Sequence, residues 1–248
     1  AGLASSGKIP FVSSFACFVV CKAYDQLRMS VAFPELNVKI VASHGGIITG
    51  EDGPSQQSIE DFALALSFPK LVTLSPCDDL STRALVRAAA KYTGPVYMRT
   101  IRAKLPLVYG DGSATGKTPT FEIGKAIELR KGKDIAILAT GTMVFESLVA
   151  AEELEKEGVS ASVYDFHTLK PIDREMIERA AKDHMAIVVA EEHQVWSGFG
   201  SRVAQIVAET HPRPMEFVAI QDTYAESGAP EELMEKYGLT GKHIAEAA

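Results

Sequence analysis

Short runs of strand-forming residues alternate with longer runs whose apolar residues recur at helical spacing, along nearly the whole of this 248-residue sequence. Alternation of this kind predicts βαβ units, in which parallel strands form a sheet with helices packed on both faces. We predict strands at residues 9–12, 38–43, 71–74, 96–100, 135–139, 162–165, 186–190 and 216–219. We predict helices at residues 16–33, 55–68, 78–91, 145–157, 174–183, 199–210 and 230–237. The pattern therefore indicates the α/β class.

Two features divide the chain into two domains. Residues 107–119 contain few large apolar side chains but include Gly110, Gly112, Gly116 and Pro119, which is typical of a linker. Residues 1–119 carry 12 Lys and Arg against 9 Asp and Glu, whereas residues 120–248 carry 13 against 23. We therefore predict two tandem three-layer α/β domains with mostly parallel sheets, at residues 1–106 and 120–248, joined by the linker 107–119.

Charge and composition exclude several classes of protein. The acidic second half argues against general nucleic-acid binding, and the mildly basic first half suits a small anionic ligand. No apolar run approaches the roughly 20 residues of a membrane span. The three cysteines, Cys17, Cys21 and Cys77, cannot all pair with one another. We therefore predict a soluble protein of a reducing, cytoplasmic compartment.

The start of the chain has an unusual pattern. Residues 1–6 are small and helix-like, and Gly7 is a good helix stop. No basic leader followed by an apolar run is present, so a signal peptide is not predicted. We expect the chain to start inside a helix, with an N-terminal piece of a longer protein preceding Ala1. The alternative is an ordinary start from which the methionine has been removed.

The loop at residues 43–57 is the richest in potential chemistry. Its four glycines allow the backbone to bend sharply and to approach a ligand closely. Acid–base and hydrogen-bonding groups are placed within reach of one site by His44, Glu51, Asp52, Ser55 and Gln56. Such a mixture suits a hydroxyl-rich substrate, and a histidine exchanges protons near neutral pH. The alternative is a solvated loop in which Ser55 merely caps a helix.

Two aromatic residues follow the first predicted strand. Phe15 and Phe18 are three residues apart, so that on a helical turn they share one face and can stack against a flat heterocycle. The alternative is packing in the core. Cys17 and Cys21 lie nearby at i, i+4 spacing, but without further Cys or His a metal site is not predicted.

Loops after later predicted strands carry further candidates. Arg102 follows the strand at 96–100 and is suited to bidentate binding of a phosphate or carboxylate, unless it is an ordinary surface arginine. The loop at residues 191–200 contains Gly198 and Gly200, which suit close packing against another chain as well as contact with a ligand.

Several longer motifs occur in a fixed order along the chain. They are Phe15-x-x-Phe18, Ala23-Tyr24-Asp25-Gln26-x-Arg28-Met29, Ser43-His44-Gly45, Gly50-Glu51-Asp52-Gly53-Pro54-Ser55-Gln56 and Arg99-Thr100-x-Arg102. Together they resemble the C-terminal half of a transketolase. The segments Lys170-Pro171-Ile172-Asp173 and Glu191-Glu192-His193 resemble that family's last domain. The likeness covers nearly the whole chain and implies a pyrimidine-binding domain followed by a C-terminal domain, as in the second chain of a split transketolase.

The resemblance implies thiamine diphosphate-dependent transfer of a two-carbon ketol unit from a ketose phosphate to an aldose phosphate, a reaction of the pentose phosphate pathway. The family's diphosphate- and metal-binding domain is marked by a Gly-Asp-Gly segment with a downstream Asn, and that pattern has no match here. Gly110-Asp111-Gly112 has the same three letters, but it lies in the linker. The resemblance therefore implies that an N-terminal-section partner holds the diphosphate and Mg²⁺ (or Ca²⁺), and that this chain supplies no metal ligand. It also implies a homodimer of this chain, and a heterotetramer with the partner.

The resemblance further implies roles for single residues. Phe15 and Phe18 are expected to pack around the aminopyrimidine of the cofactor. The catalytic groups are His44 and Gln56, which with Asp52 contact sugar hydroxyls or move protons, and Ser55 is a further substrate contact. Arg102 holds the substrate phosphate. Cys21 stands at a position that is aromatic in some transketolases. The family's cofactor-activating glutamate would lie just ahead of Ala1, so the chain as printed is expected to be inactive.

Alternative functions remain open from the sequence. A deoxyxylulose phosphate synthase and the beta subunit of a 2-oxo acid dehydrogenase share the expected fold, but the motif at residues 50–56 together with Arg102 favours a transketolase. A non-catalytic assembly subunit that completes a partner's fold belongs to a different class. A nucleotide-binding Rossmann domain is disfavoured, because no Gly-x-Gly-x-x-Gly fingerprint is present.

Overall fold

The computed structural model describes residues 1–248 and contains two five-stranded sheets. The strands are β1 (Phe11–Phe15), β2 (Lys39–Ser43), β3 (Val72–Leu74), β4 (Val96–Arg99), β5 (Ile127–Arg130), β6 (Ile135–Ala139), β7 (Ala161–Asp165), β8 (Thr168–Lys170), β9 (Ala186–Gln194) and β10 (Met215–Ile220).

The α-helices are α1 (Gly2–Ser5), α2 (Tyr24–Leu27), α3 (Asp61–Ser67), α4 (Asp79–Lys91), α5 (Met143–Lys156), α6 (Arg174–Asp183), α7 (Phe199–Glu209), α8 (Pro230–Lys236) and α9 (Gly241–Glu246). Two π-helical segments, Cys17–Lys22 and Arg28–Ala32, and a 3-10 segment, Ile47–Asp52, complete the helical elements. None of the helices is both long and apolar enough to cross a bilayer.

The first sheet has the strand order β1-β2-β4-β3-β8. Its first four strands are parallel, and every residue of β3 and β4 is buried. Continuous burial of this kind is expected of parallel strands that are covered by helices on both faces. β8 belongs to the second half of the chain and pairs antiparallel with β3. Main-chain pairing therefore joins the two halves of the molecule.

The second sheet has the strand order β10-β9-β6-β7-β5, in which only the edge strand β5 is antiparallel. The prediction of an α/β protein with two mostly parallel sheets is confirmed. One apolar cluster of 33 residues continues across both halves, since it includes Leu74 and Met98 of the first sheet as well as Ile137 and Val188 of the second. The two sheets thus share part of their core.

Two predicted helices are wrong in detail. Residues 16–33 do not form one α-helix, because α2 is flanked by the two π-helical segments. Residues 55–60 are not helical, and α3 begins only at Asp61. The reason is tertiary: the main-chain N–H of Gly46 donates to the carbonyl of Ser58 at 2.7 Å, and the Gln57 amide donates to three carbonyls around it. These contacts hold residues 57–58 against the preceding loop.

The segment predicted as a linker is anchored to both halves. The main-chain N–H groups of Val108 and Tyr109 donate to the Asp78 carboxylate at 3.0 and 2.8 Å. The Tyr109 hydroxyl donates to Asp165 at the end of β7, at 2.6 Å. Asp78 also caps α4, because its side chain accepts from the N–H of Ser81. One aspartate from each half therefore fixes the start of the linker.

Asp165 is expected to make stability depend on pH. Burial raises the pKa of this carboxyl to about 7, and the nearby Asp78 adds to the rise. The folded protein therefore keeps the proton up to about pH 7, whereas an unfolded chain releases it near pH 4. Below pH 4 the proton on Asp165 makes its full contribution to the free energy of unfolding. This contribution is lost as the pH rises through 7. Asp165→Asn, whose amide oxygen still accepts from Tyr109, should remove this loss.

The free energy of unfolding of Asp165→Asn, minus that of the wild type, should rise by roughly 2–3 kcal/mol when the pH is raised from 5 to 8. Urea unfolding at the two pH values measures this gain. Asp183→Asn, at an exposed position, is the matched control and should show no such gain. An equal effect of Asp165→Asn at both pH values would show that the carboxyl does not titrate in this range.

Candidate active site

The candidate site lies at the carboxyl end of the first sheet, where open parallel sheets bind their ligands. β1 ends at Phe15, β2 ends at Ser43 next to His44, and Arg102 follows β4 by three residues. β1 and β2 are adjacent, as are β2 and β4. The sheet order therefore brings together side chains that are far apart in the sequence.

Three rings form a stack at this edge. The ring centroids of Phe15 and His44 are 3.7 Å apart with an interplanar angle of 16°. Those of Phe15 and Phe18 are 5.5 Å apart and almost parallel, at 9°. Phe18 is on the π-helical segment Cys17–Lys22, a backbone form that is frequent at functional sites. Phe15 and Phe18 are partly exposed, so the stack presents aromatic surface at this edge of the sheet.

His44 joins this stack to the polar part of the site. Its backbone has a positive φ of 59°, and its ring lies against the ring of Phe15. Nδ1 lies 2.9 Å from the hydroxyl of Ser43, and Nε2 lies 3.9 Å from a carboxylate oxygen of Asp52. Burial lowers the pKa of His44, Arg102 lowers it further, and Asp52 opposes both. The imidazole is therefore neutral near pH 7 and can accept a proton.

Arg102 is engaged by the 3-10 segment Ile47–Asp52. Its guanidinium donates to the carbonyl of Thr49 at 3.1 Å and to the Glu51 carboxylate at 3.3 Å, and lies 3.8 Å from Asp52. The side chain is 47% exposed, so it remains accessible to an anion. A phosphate at Arg102 has to compete with Glu51. Arg102 also braces the loop through Thr49.

Ser55 and Gln56 make contacts different from those of His44 and Arg102. Their side chains hydrogen-bond to each other, and neither bonds to His44 or Arg102. Their carbonyls face the thiol of Cys17, at 3.6 and 3.3 Å. The structure thus places Phe15, Phe18, His44, Asp52 and Arg102 in one connected group, and Ser55 and Gln56 next to the π-helical segment.

Cys21 and Glu60 form a separate contact near the aromatic stack. The thiol donates to the carboxylate at 3.5 Å. Burial and Glu60 raise the pKa of Cys21 to about 12, so the thiol stays protonated. All three cysteines are free, and no group of three or more His, Cys, Asp or Glu side chains that could hold a metal ion is present.

A buried ion pair between Arg99 and Asp61 lies beneath the loop, and it was not predicted from the sequence. Arg99 is 4% exposed, and its Nε lies 3.6 Å from the carboxylate of Asp61, which is fully buried. Tyr97 donates to the same carboxylate at 2.6 Å, and the guanidinium of Arg99 packs over Phe62 at 4.4 Å. A charged residue at the end of an otherwise apolar strand was the only sequence signal for this pair.

Two family models match the chain. The transketolase pyrimidine-binding domain matches residues 1–108, and the transketolase C-terminal domain matches residues 124–244. Together they cover most of the sequence.

Known proteins resemble the chain over its full length. It is 42% identical to a chain assigned as a transketolase C-terminal section in Methanocaldococcus jannaschii, over 99% of this chain and 76% of the relative. It is 41% identical to the 6-deoxy-6-sulfo-D-fructose transketolase subunit of a Clostridium species, over 100% of this chain and 75% of the relative. A solved split-gene transketolase, described as an inactive beta4 tetramer, superimposes with a TM-score of 0.91 at 43% identity, over 99% of this chain and 77% of that one.

Proposed function

The chain belongs to the transketolase family, and from this premise we propose that its ring stack and His44 loop form one wall of a ketol-transfer site. It is the C-terminal subunit of a thiamine diphosphate-dependent transketolase divided into two chains, and it needs an N-terminal-section partner for activity. The reaction moves a two-carbon ketol unit from a ketose phosphate to an aldose phosphate. One observation carries the proposed site: a neutral histidine stacked on Phe15 at 3.7 Å, next to Asp52 and Arg102.

The ring stack is suited to hold the cofactor at its aminopyrimidine. Bound thiamine diphosphate supplies the nucleophilic carbon of the reaction. Phe15 and Phe18 provide a flat apolar surface that orients the pyrimidine ring and excludes water from it. We assign the diphosphate and its Mg²⁺ (or Ca²⁺) to the partner chain, because the matched family models are the pyrimidine-binding and C-terminal ones.

The polar residues are assigned to the sugar substrate. His44 accepts or returns a proton at a substrate hydroxyl, since its imidazole is neutral and partly exposed. Asp52, Ser55 and Gln56 contact further hydroxyls, and Gln56 assists proton movement. Arg102 binds the phosphate of a phosphorylated sugar in place of its contact with Glu51.

We further propose a homodimer of this chain and a heterotetramer with the partner. A similar solved split-gene transketolase is described as a beta4 tetramer, which supports self-association of this chain. The exposed aromatic side chains Trp196 and Tyr224, at 70% and 72%, provide surface for such contacts. Light scattering at micromolar concentration tests the dimer, which a monomer would contradict.

The three free cysteines favour a reducing compartment such as the cytoplasm.

Reconstitution tests the proposed function. The intact parent chain, which includes the segment expected ahead of Ala1, should transfer a ketol unit between sugar phosphates when mixed with its N-terminal-section partner, thiamine diphosphate and Mg²⁺. Each chain alone should not. Calorimetry should show cofactor binding to the isolated chain weaker than 1 mM, because ring stacking adds about 0.5–1.5 kcal/mol and a 1 mM affinity needs about 4 kcal/mol. Turnover of pyruvate with glyceraldehyde phosphate, without ketol transfer, would instead indicate a deoxyxylulose phosphate synthase.

A further inference from the structure

Glu192 of β9 contacts the loop of the candidate site from the other half of the chain. The residue is only 2% exposed. One carboxylate oxygen accepts from the main-chain N–H of Ile48 at 2.7 Å, and the other accepts from the Thr142 hydroxyl at 2.7 Å. Ile48 lies in the 3-10 segment Ile47–Asp52, whereas Thr142 lies immediately before α5. A single buried carboxylate therefore bonds the loop to the C-terminal half.

The loop backbone lies directly against Glu192 and Arg99. A Cβ atom at Gly46, where φ is +76°, would be 2.0 Å from a carboxylate oxygen of Glu192. A Cβ atom at Gly45 would be 2.0 Å from Nε of Arg99. Arg99 also donates to the main-chain carbonyl of Glu192 at 2.9 Å. Only glycine at these two positions lets the chain turn this close to the two charged side chains.

The contact at Ile48 continues to the proposed substrate-binding residues through the next residue. The Thr49 hydroxyl donates to the carbonyl of His44 at 3.1 Å. The carbonyl of Thr49 accepts from Arg102, also at 3.1 Å. Displacement of Ile48 would therefore move the residue that fixes both His44 and Arg102. Glu192 itself is buried beneath the loop and has no free carboxylate oxygen, so it acts through the loop.

We propose that Glu192 is a positioning residue, which holds the His44 loop in its active conformation and so gives the C-terminal half a part in catalysis. This inference rests on the proposed function of the loop. Misplacement of reacting groups by about 1 Å costs on the order of 100-fold in rate. The loss of the Ile48 contact should therefore be visible in turnover and not only in stability.

The primary test compares Glu192→Ala with Glu192→Gln in the intact parent chain, which includes the segment expected ahead of Ala1, together with its partner. The alanine variant should lower kcat/KM about 10- to 100-fold, mostly in kcat. Glutamine should restore activity to within a few-fold, because its amide oxygen can accept from Ile48 while its amide N–H₂ donates to Thr142. Hydrogen exchange should rise in residues 44–52 of the alanine variant and remain near the wild-type rate in the glutamine variant.

Glu191→Ala is the matched control. Glu191 is the neighbouring buried carboxylate, at 1% exposure, but it accepts from Phe199 and Gly200 within its own half. Its replacement should lower the melting temperature without raising exchange in residues 44–52. Equal effects of the two alanine variants on loop exchange and kcat would overturn the proposal, since any buried carboxylate would then serve.

A variant that does not fold and a complex without turnover would each still leave a decisive measurement. If Glu192→Ala does not fold, Thr142→Val takes its place; it should raise loop exchange measurably, and exchange at the wild-type rate would overturn the proposal. If the wild-type complex shows no ketol transfer, the proposed function fails. The exchange comparison does not depend on turnover, so an unchanged loop in Glu192→Ala would then overturn the positioning role separately.

Discussion

His44→Ala is expected to lower kcat for ketol transfer by about 100- to 1,000-fold in the complex with the partner chain, because general acid–base catalysis contributes on this scale. Among the polar side chains of the proposed site, only the His44 imidazole is both a proposed proton acceptor and in contact with the ring stack. Steady-state kinetics with a ketose phosphate donor measures the loss. His211→Ala, which removes an exposed histidine, is the matched control and should leave kcat unchanged.

The pH profile gives a second, independent reading of His44. Burial and Arg102 hold the pKa of His44 below its usual range, and Asp52 pulls it upward. An unperturbed histidine has a pKa of about 6.5. The acid limb of the kcat/KM profile should therefore lie below that pH. Asp52→Asn removes the upward contribution and should move this limb to still lower pH. A kcat within threefold of the wild type in His44→Ala, with an unchanged profile, would assign proton transfer to another residue.

Eight of the ten strands could be predicted, because short runs of apolar and β-branched residues leave a plain signal in the sequence. Residues 135–139 are all apolar and form β6, with every residue buried. The cap at Asp78 was also predictable, because capping depends on the adjacent residues of the same helix. Local rules of this kind need no knowledge of distant parts of the chain.

The non-helical course of residues 55–60 could not be predicted for the opposite reason. Gln57 and Ser58 are bonded to residues of the preceding loop and, through the carbonyl of Glu226, to the end of the chain. Such contacts outweigh the helical propensity of a short segment. β5 and β8 were also missed. Both are antiparallel edge strands that contain polar or charged residues, so they lack the continuous apolar run of a strand buried on both faces.

The sequence predicted that residues of the loop at 43–57 and Arg102 lie near one another, but not how their side chains are connected. The rule that ligands bind beyond parallel strands places His44, Asp52 and Arg102 at one edge. The sequence does not show that Glu51 already pairs with Arg102, because both look like ordinary surface residues. Nor does it show the contact between Glu192 and Ile48, which joins residues 144 positions apart.

Arg102→Ala should raise KM about tenfold for phosphorylated sugars and much less for unphosphorylated ones. A hydrogen bond to a charged group contributes roughly 1.5–3 kcal/mol, and the partial exposure of Arg102 favours the lower end of that range. A loss of about 1.4 kcal/mol is tenfold in affinity. Paired measurements on one sugar with and without its phosphate separate this term from general damage to the loop.

Glu51→Gln should change the same KM in the opposite direction. It removes the carboxylate that lies 3.3 Å from the Arg102 guanidinium and competes with a substrate phosphate, while the hydrogen-bonding shape is kept. KM for phosphorylated sugars should therefore fall, and KM for unphosphorylated sugars should not. If Arg102 instead serves only to brace the carbonyl of Thr49, Arg102→Ala will impair both sugar classes equally and Glu51→Gln will favour neither. The sign of the Glu51→Gln effect thus distinguishes a phosphate ligand from a structural brace.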